Sequence, residues 1–484
     1  MWNCLSNTNA QTKDVVIVTV PWTDSALPLM APAALKPIVE KAGLSCLAVD
    51  LNAEIYQYTR THDLKDDLIR FFFDEKGTEK SSEVLENIFK TIAEQILSWK
   101  PTYVGLSLFS YVTQHSAKWI AYFIKKINPS VIILAGGAGC LDTFTGPSSY
   151  IDQMLAQKLF DYHIRGDGEN SLYELLIGND KFNGINSLEW TELKKHELRS
   201  LPMPDYSNYN FELYDKKALP IIGSRGCVRQ CKFCDYIANW KNFQWRTAED
   251  IFQEMLSQSL TYNITTFKFQ DSLTNGNQKE FYKLIKLISE HNSTHTNKFR
   301  WSGYYIFRNT TSQSALEWDL LSSSGAETLA VGIENLNEHI RYDIGKKFTN
   351  SAIDYHLSKA KQYKITLFLL NIVGYVNETE KDIEFAKQWL HSHLEYRDTI
   401  ILQWGGTLGI FPNTYLDANK EKLGIKMIGN LPSLWVNEQT NSTPAVRANW
   451  VAELNTLSVE LGFRTVDNLD NHFLLETLIN DQIQ

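Results

Sequence analysis

No run of apolar residues approaches the roughly 20 that a membrane-crossing helix needs, so no membrane span is expected. Blocks of like charge are missing as well, and the formal net charge is -9, from 47 Lys plus Arg against 56 Asp plus Glu. Such a chain repels extended runs of phosphate, and nucleic acid is not expected as a partner. Cysteine is scarce, with six in 484 residues. Cys4, Cys46 and Cys140 stand alone and the other three fall close together, which excludes a disulfide framework and points to a metal site. The first ten residues show neither the basic start nor the apolar core of a secretory signal, and a cytoplasmic location is expected. Solenoid repeats and low-complexity tracts are also lacking.

What is there suits a folded protein. Hydrophobic residues make up 43% and charged residues 21%, and the length exceeds what one ordinary core serves, so two or three domains are expected. From Val15 short β-branched runs alternate with helical stretches. VVIVTV (15–20), SCLAVD (45–50), TYVGLSLF (102–109), SVIILAGG (130–137) and a last strand near 160–165 read as strands. Helices are expected over 33–41, 114–126 and from Glu169. This α/β pattern predicts a doubly wound, Rossmann-like domain over residues 1–177. A charged helical stretch at 63–98 is longer than a crossover needs. In such sheets the ligand sits beyond the carboxyl ends of the strands. Those ends carry Ser107, Gly136, Gly137, Gly166, Gly168 and Glu169, and their small residues admit either a bulky ligand or a tight turn.

Residues 178–217, poor in periodic signal and containing LPMPD (201–205), read as a linker. A second alternation follows over 218–419, with strands at 218–224, 264–271, 299–305, 327–334, 365–374 and 398–404. Six strand–helix units predict a partial, open β/α barrel. Residues 420–484 read as a small helical region in which Val446, Trp450, Leu454, Leu457 and Leu461 recur at helical spacing, as a packing element or a lid.

At the end of the first barrel strand stands GSRGCVRQCKFCDY (223–236). Cys227, Cys231 and Cys234 are separated by three and then two residues, so their thiolates can converge on one centre. Zinc is the alternative, as in a zinc or iron–sulfur protein that senses redox state or binds a partner, although a closed zinc site takes four ligands and no fourth follows nearby. Three ligands on a four-iron cluster leave one iron open for chemistry.

This Cys-x3-Cys-x2-Cys, with Phe233 before the last cysteine, resembles the signature of the radical S-adenosylmethionine (SAM) superfamily. The resemblance implies that a 4Fe-4S cluster on the three cysteines binds SAM and that one electron breaks its sulfonium bond, giving a 5'-deoxyadenosyl radical. It implies an external one-electron reductant such as flavodoxin or ferredoxin. It also assigns SAM contacts to Asp271 and Ser272 after the second strand, Arg308 after the third, Glu334 of AVGIEN after the fourth and Gly374 of GYVNETEKD after the fifth. Two departures from the family pattern are Asn335 for the usual Ser and a missing proline after Gly374.

The domain order resembles the cobalamin-binding subfamily, through PLMAPAALKPIVEKAG (28–43), Asp50-Leu-Asn52, AGGAG (135–139) and GDGEN (166–170). The resemblance implies cobalamin in the first domain and, most simply, methyl transfer to carbon of a small-molecule or peptide substrate. A radical SAM enzyme without cobalamin that rearranges or cyclises its substrate is the alternative. The letters of a cobalt-ligating Asp-x-His-x-x-Gly occur at 161–166 but fall after the glycine turn and inside the last strand, so His163 is expected to be packed, not a ligand.

Overall fold

The computed structural model describes residues 12–21, 27–61, 79–140, 149–187, 190–309 and 314–466. Residues 63–78 of the expected charged helix, part of the loop after the first strand and residues 467–484 lie outside the described residues. The chain divides into two compact units, one running to Pro220 and one from Ile221.

In the first unit, β1 (Val15–Thr19), β2 (Cys46–Val49), β3 (Tyr103–Ser107), β4 (Ile132–Gly136) and β5 (Tyr162–Ile164) form a sheet of order β2-β1-β3-β4-β5. Every pair is parallel. All five residues of β1 are buried, because helices cover both faces and VVIVT has no polar side to show. The helices are α1 (Met30–Lys41), α2 (Leu51–Thr61), α3 (Glu79–Ser98), α4 (Gln114–Ile127), α5 (Tyr150–Ala156) and α6 (Gly168–Leu176). On α4 the buried residues Ala117, Ile120, Ala121 and Ile124 recur three and four apart, so one face meets the sheet, while at its end Lys126 reaches solvent and Lys125 pairs with Asp161 at 2.7 Å. The strand order reverses between β1 and β3, where doubly wound sheets open a crevice.

Residues 178–217 are not a free linker. Ile185 bridges Ile164 and Thr191 bridges Gly166. A short helix follows, α7 (Lys195–Arg199), with Leu193 and Leu198 buried. Asp205 donates its N–H to Ala33 and pairs with Lys36 at 2.7 Å. Tyr209 and Tyr214 donate their hydroxyls to the Leu29 carbonyl and to Asp50. Leu and Tyr at irregular spacing leave no period to read, yet long-range contacts bury them.

The second unit holds β6 (Leu219–Ile221), a hairpin of β7 (Ser224–Arg225) with β8 (Gln244–Trp245), then β9 (Thr266–Phe269), β10 (Arg300–Tyr305), β11 (Ala326–Glu334), β12 (Thr366–Val373) and β13 (Ile400–Thr407). Between them run α8 (Tyr236–Asn239), α9 (Ala248–Tyr262), α10 (Gln278–Thr294), α11 (Ser314–Ser323), α12 (Glu338–Ile344), α13 (Asn350–Tyr363) and α14 (Glu380–Ser392). After α15 (Tyr415–Ala418), the antiparallel pair β14 (Lys426–Met427) and β15 (Trp435–Val436) and α16 (Pro444–Glu460) comes β16 (Arg464–Thr465). The sheet order is β16-β13-β12-β11-β10-β9-β6, parallel from β9 through β16. Along β12, Leu367, Leu369, Asn371 and Val373 are buried while the alternate residues are half-exposed, as in a sheet with helices on one face only.

The barrel therefore has seven strands where six were expected, and the region after 420 is not purely helical. A two-residue β16 is too short for an alternation signal, and its pairing with β13 supplies the seventh strand. The Trp450 and Leu454 face of α16 is buried against β13 and β16, which makes this helix a packing element.

Candidate active site

The cysteine loop leaves β7 through Gly226, whose φ of +77° and close approach to the Asn242 carbonyl demand glycine. Neighbouring elements then bolt it down. Lys232 donates its N–H to Ile344 and accepts one from Leu416, at 3.0 and 3.2 Å. Its ammonium pairs with Asp343 at 2.6 Å, and the same carboxylate takes the Tyr375 hydroxyl. Phe233 packs with Cys231 and Cys234 into a small core that includes Ile340, Ile344 and Tyr375. Cys231 is buried and Cys227 and Cys234 are half-buried.

Burial pushes the Cys231 thiol up to about 12, and it raises Cys234 as well. A thiolate is costly there unless a metal takes the charge. The loop also aims donors at sulfur: the Arg229 N–H lies 3.4 Å from Cys227 Sγ, and the N–H groups of Ile237 and Tyr236 at the start of α8 favour the Cys234 thiolate. Hydrogen bonds to sulfur are what a cluster-ligating thiolate needs. Among the described residues no three His, Cys, Asp or Glu side chains stand close enough together to hold a single metal ion.

The expected SAM contacts stand at the carboxyl ends of successive strands. Asp271, after β9, is 2% exposed and accepts from the Gly223 N–H at 3.0 Å and from the Ser224 hydroxyl, tying β9 to the start of the cysteine loop. Burial lifts its carboxyl to about 6, although both donors oppose the shift. Ser272 beside it is half-buried. Arg308, after β10, gives one N–H to the Asn275 carbonyl at 2.7 Å, and burial holds its guanidinium below the usual range.

Glu334 ends β11 with a φ of +66°, rare for a side-chain-bearing residue, at a register shift against β12. The turn folds its carboxylate back to Lys346, at 2.9 Å. Gly332 makes the room, since a Cβ there would overlap Glu334 Oε1 and stand 2.8 Å from Lys346 Nζ. Lys346 feels the Cys231 and Cys227 thiols. Burial works against its charge, but Glu334 and the thiols outweigh that and leave its ammonium raised.

Glu378 joins two strand ends. It accepts the Asn335 amide at 2.5 Å and the N–H groups of Gly374 and Tyr375 at 2.5 and 3.0 Å. Gly374 has φ +82° and lies against the side chain of Arg447, which is fully buried. That guanidinium bonds the Ser433 and Trp435 carbonyls and the Ser442 hydroxyl, and stacks 3.8 Å from the Trp435 ring centre. Lys346, Glu378 and Arg447 escaped the sequence reading. Glu378 stood within GYVNETEKD, whereas nothing local marks Lys346 or Arg447.

In the first unit Ser107 and Gly136 are register partners at the ends of β3 and β4. Gly166 and Gly168 follow β5, and Glu169 is buried in the first turn of α6. Gly137 has φ +103°, and a Cβ on it would overlap the Leu108 carbonyl; Gly166 has φ +92° and faces Thr191 in the same way. Close backbone packing thus accounts for these two glycines without a ligand. Phe109, one step past that edge, is 60% exposed. His163 is buried inside β5, where burial lowers it to about 4.

The radical SAM superfamily model matches residues 221–390, the stretch that contains the cysteine loop and the strand ends from β9 to β12. Residues 221–390 are a radical SAM domain. The whole chain shares the fold of TsrM, a radical SAM methyltransferase from Kitasatospora setae solved with cobalamin and a 4Fe-4S cluster bound. That match has TM-score 0.63 and 15% identity over 96% of this chain and 90% of that one. OxsB, a cobalamin-dependent radical SAM enzyme, has TM-score 0.64 and 14% identity over 98% and 72%. An anaerobic magnesium-protoporphyrin IX monomethyl ester cyclase of Synechocystis is 22% identical over 293 residues, and the match spans only 56% of that relative's length. The radical SAM domain in this chain thus follows a Rossmann-like unit.

Proposed function

We propose that this protein holds a 4Fe-4S cluster on Cys227, Cys231 and Cys234, cleaves SAM with it, and carries cobalamin on its first unit for methyl transfer to carbon of a small-molecule or peptide substrate. The observation that carries the reading is the clamped cysteine loop: three thiols, donors aimed at two sulfurs, and the Glu334–Lys346 pair beside Cys231. When bound, the cluster supplies the electron that breaks the sulfonium bond. The chain's part is to hold and orient. Asp271, Ser272, Arg308, Glu334 and Gly374 are the residues offered to SAM, with Arg308 suited to a carboxylate and the Glu334–Lys346 pair fixing the β11 end. Cobalamin is supported by the β2-β1-β3-β4-β5 order and by the fold shared with TsrM and OxsB.

The test uses anaerobically purified, cluster-reconstituted protein, offered hydroxocobalamin, desalted, then reduced with SAM while 5'-deoxyadenosine and S-adenosylhomocysteine are quantified. Retained cobalamin with both products supports methyl transfer. Cys231→Ala is expected to abolish SAM cleavage while the first unit stays folded; unchanged 5'-deoxyadenosine in that variant refutes the cluster assignment.

A second reading, radical chemistry without cobalamin that rearranges or cyclises the substrate, is favoured by one observation. Gly137 and Gly166 are fully explained by backbone packing. Formation of 5'-deoxyadenosine without retained cobalamin selects it.

A further inference from the structure

The segment that follows α12 lies against the backbone of the cysteine loop. Ile344 accepts the Lys232 N–H at 3.0 Å, and a Cβ on Gly345 would stand 3.6 Å from Cys231 Cα. Gly345 closes α12 with φ +110°, and the Lys346 N–H returns to the Arg341 carbonyl at 3.0 Å. This helix-ending pattern fixes where the Lys346 side chain leaves the helix. That side chain is 13% exposed, and its ammonium meets Glu334 Oε1 at 2.9 Å. On β11, a Cβ at Gly332 would stand 2.8 Å from Lys346 Nζ. A glycine inside a strand weakens it, and here the missing side chain is what admits the ammonium.

Two ion pairs stand at the cysteine loop, and they differ in exposure. Lys232 and Asp343 keep 28% and 36% of their side-chain surface, so solvent screens their field. Lys346 and Glu334 keep 13% and 11%, and a buried pair is screened much less. Burial is the main influence on the Cys231 thiol; after it Lys346 favours the thiolate, and Glu334 opposes more weakly. Lys346 in turn feels both Cys231 and Cys227. The pair is therefore not neutral toward the metal loop, and the cation outweighs its partner. A brace for the β11 end alone would need the contact with Glu334 but not a cation set beside two of the loop thiols.

We infer that Lys346 is a positioning residue that tunes the metal loop: its buried ammonium, anchored on Glu334 beside Cys231 and Cys227, stabilises the reduced form of a cluster held on those thiols. The inference rests on the cluster reading of the cysteines and adds a residue, outside the three ligands, that sets how readily the centre is reduced. With three thiolates a 4Fe-4S centre carries one net negative charge when oxidised, and two after it takes one electron from an external reductant; its potential follows the charge around it. A fixed cation close by favours the reduced form, and a fixed carboxylate disfavours it. Removing Lys346 and removing the Glu334 charge must therefore act with opposite sign.

The experiment uses the full chain as wild type, Lys346→Met, Lys346→Arg and Glu334→Gln, each loaded with cluster anaerobically and assayed for iron and sulfide. The reduced fraction is followed by electron paramagnetic resonance during a potentiometric titration without SAM. Lys346→Met is expected to lower the ratio of reduced to oxidised cluster about tenfold at a given potential, which for one electron is a midpoint about 59 mV more negative. Lys346→Arg keeps the charge and should restore the wild-type midpoint, while Glu334→Gln should raise it. An unchanged midpoint in Lys346→Met would overturn the inference. So would a fall in Glu334→Gln, because both variants would then act by loosening the loop and not through charge. If Lys346→Met takes up no iron, Glu334→Gln decides alone: a raised midpoint supports the inference, and an unchanged or lowered one overturns it. A wild-type chain that takes up no cluster is a different failure, and sinks the proposed function.

Discussion

Replacing Gly374 by alanine tests whether the end of β12 is built around Arg447. Two costs arise. The residue sits at φ +82°, where an L side chain loses about 1–2 kcal/mol. The new Cβ would also stand 2.5 Å from Arg447 Cγ and closer still to Cδ. Arg447 cannot swing aside, because three hydrogen bonds and the Trp435 ring hold it in a fully buried position. Overpacking of this kind costs about 1–3 kcal/mol, so Gly374→Ala should destabilise the second unit by about 2–5 kcal/mol. Hydrogen exchange read by mass spectrometry is the suitable assay, since two units need not unfold together. Protection should fall over 374–378 and 433–450 and stay unchanged over the first unit. Arg447→Ala removes Cγ and Cδ, so in that background only the backbone part should remain, a coupling of about 1–3 kcal/mol. A cost below about 0.5 kcal/mol, the range of neutral surface changes, would refute the reasoning. So would a full cost in both backgrounds.

Two further predictions concern buried carboxylates. Burial raises Glu378 from an ordinary 4.5 to about 7. For an acid with a raised folded-state value, the stabilising contribution is fully present below the ordinary value and is lost as pH rises through the folded one. The loss between pH 4.5 and 7 is therefore about 3 kcal/mol. Glu378→Gln should flatten the pH dependence of second-unit stability in that window, and a slope identical to wild type in pH-stepped urea titrations would count against it. In the first unit, Tyr214 donates its hydroxyl to buried Asp50 at 2.8 Å, alongside Thr19 and the Leu29 N–H. Tyr214→Phe should cost about 1–3 kcal/mol, with exchange protection lost over 205–214; unaltered protection there would show that the segment is held by apolar contacts alone.

The alternation of β-branched runs with helical stretches already gave both α/β architectures, because parallel strands buried on their faces write continuous apolar runs into the chain. The cysteine spacing announced the metal loop for a similar reason: ligands on one tight loop must be close in sequence. Tertiary structure decided whatever depends on residues meeting from far apart. Residues 178–217 carry no period, and only their contacts with Ala33, Lys36 and Asp50 make them part of the first unit. The seventh strand, β16, is two residues long and exists because β13 offers an edge. Gly137 and Gly166 could be read as serving a ligand or a tight turn, and only the tertiary structure shows the Leu108 carbonyl and Thr191 standing where a side chain would be. Glu334 was readable at its strand end, yet its partner Lys346 comes from the segment beyond α12, and Arg447 reaches Gly374 from α16. Local pattern therefore determined the elements and the metal loop, while the charges and side chains that hold the strand ends in place were decided by packing across the sheet, where sequence separation carries no information about distance.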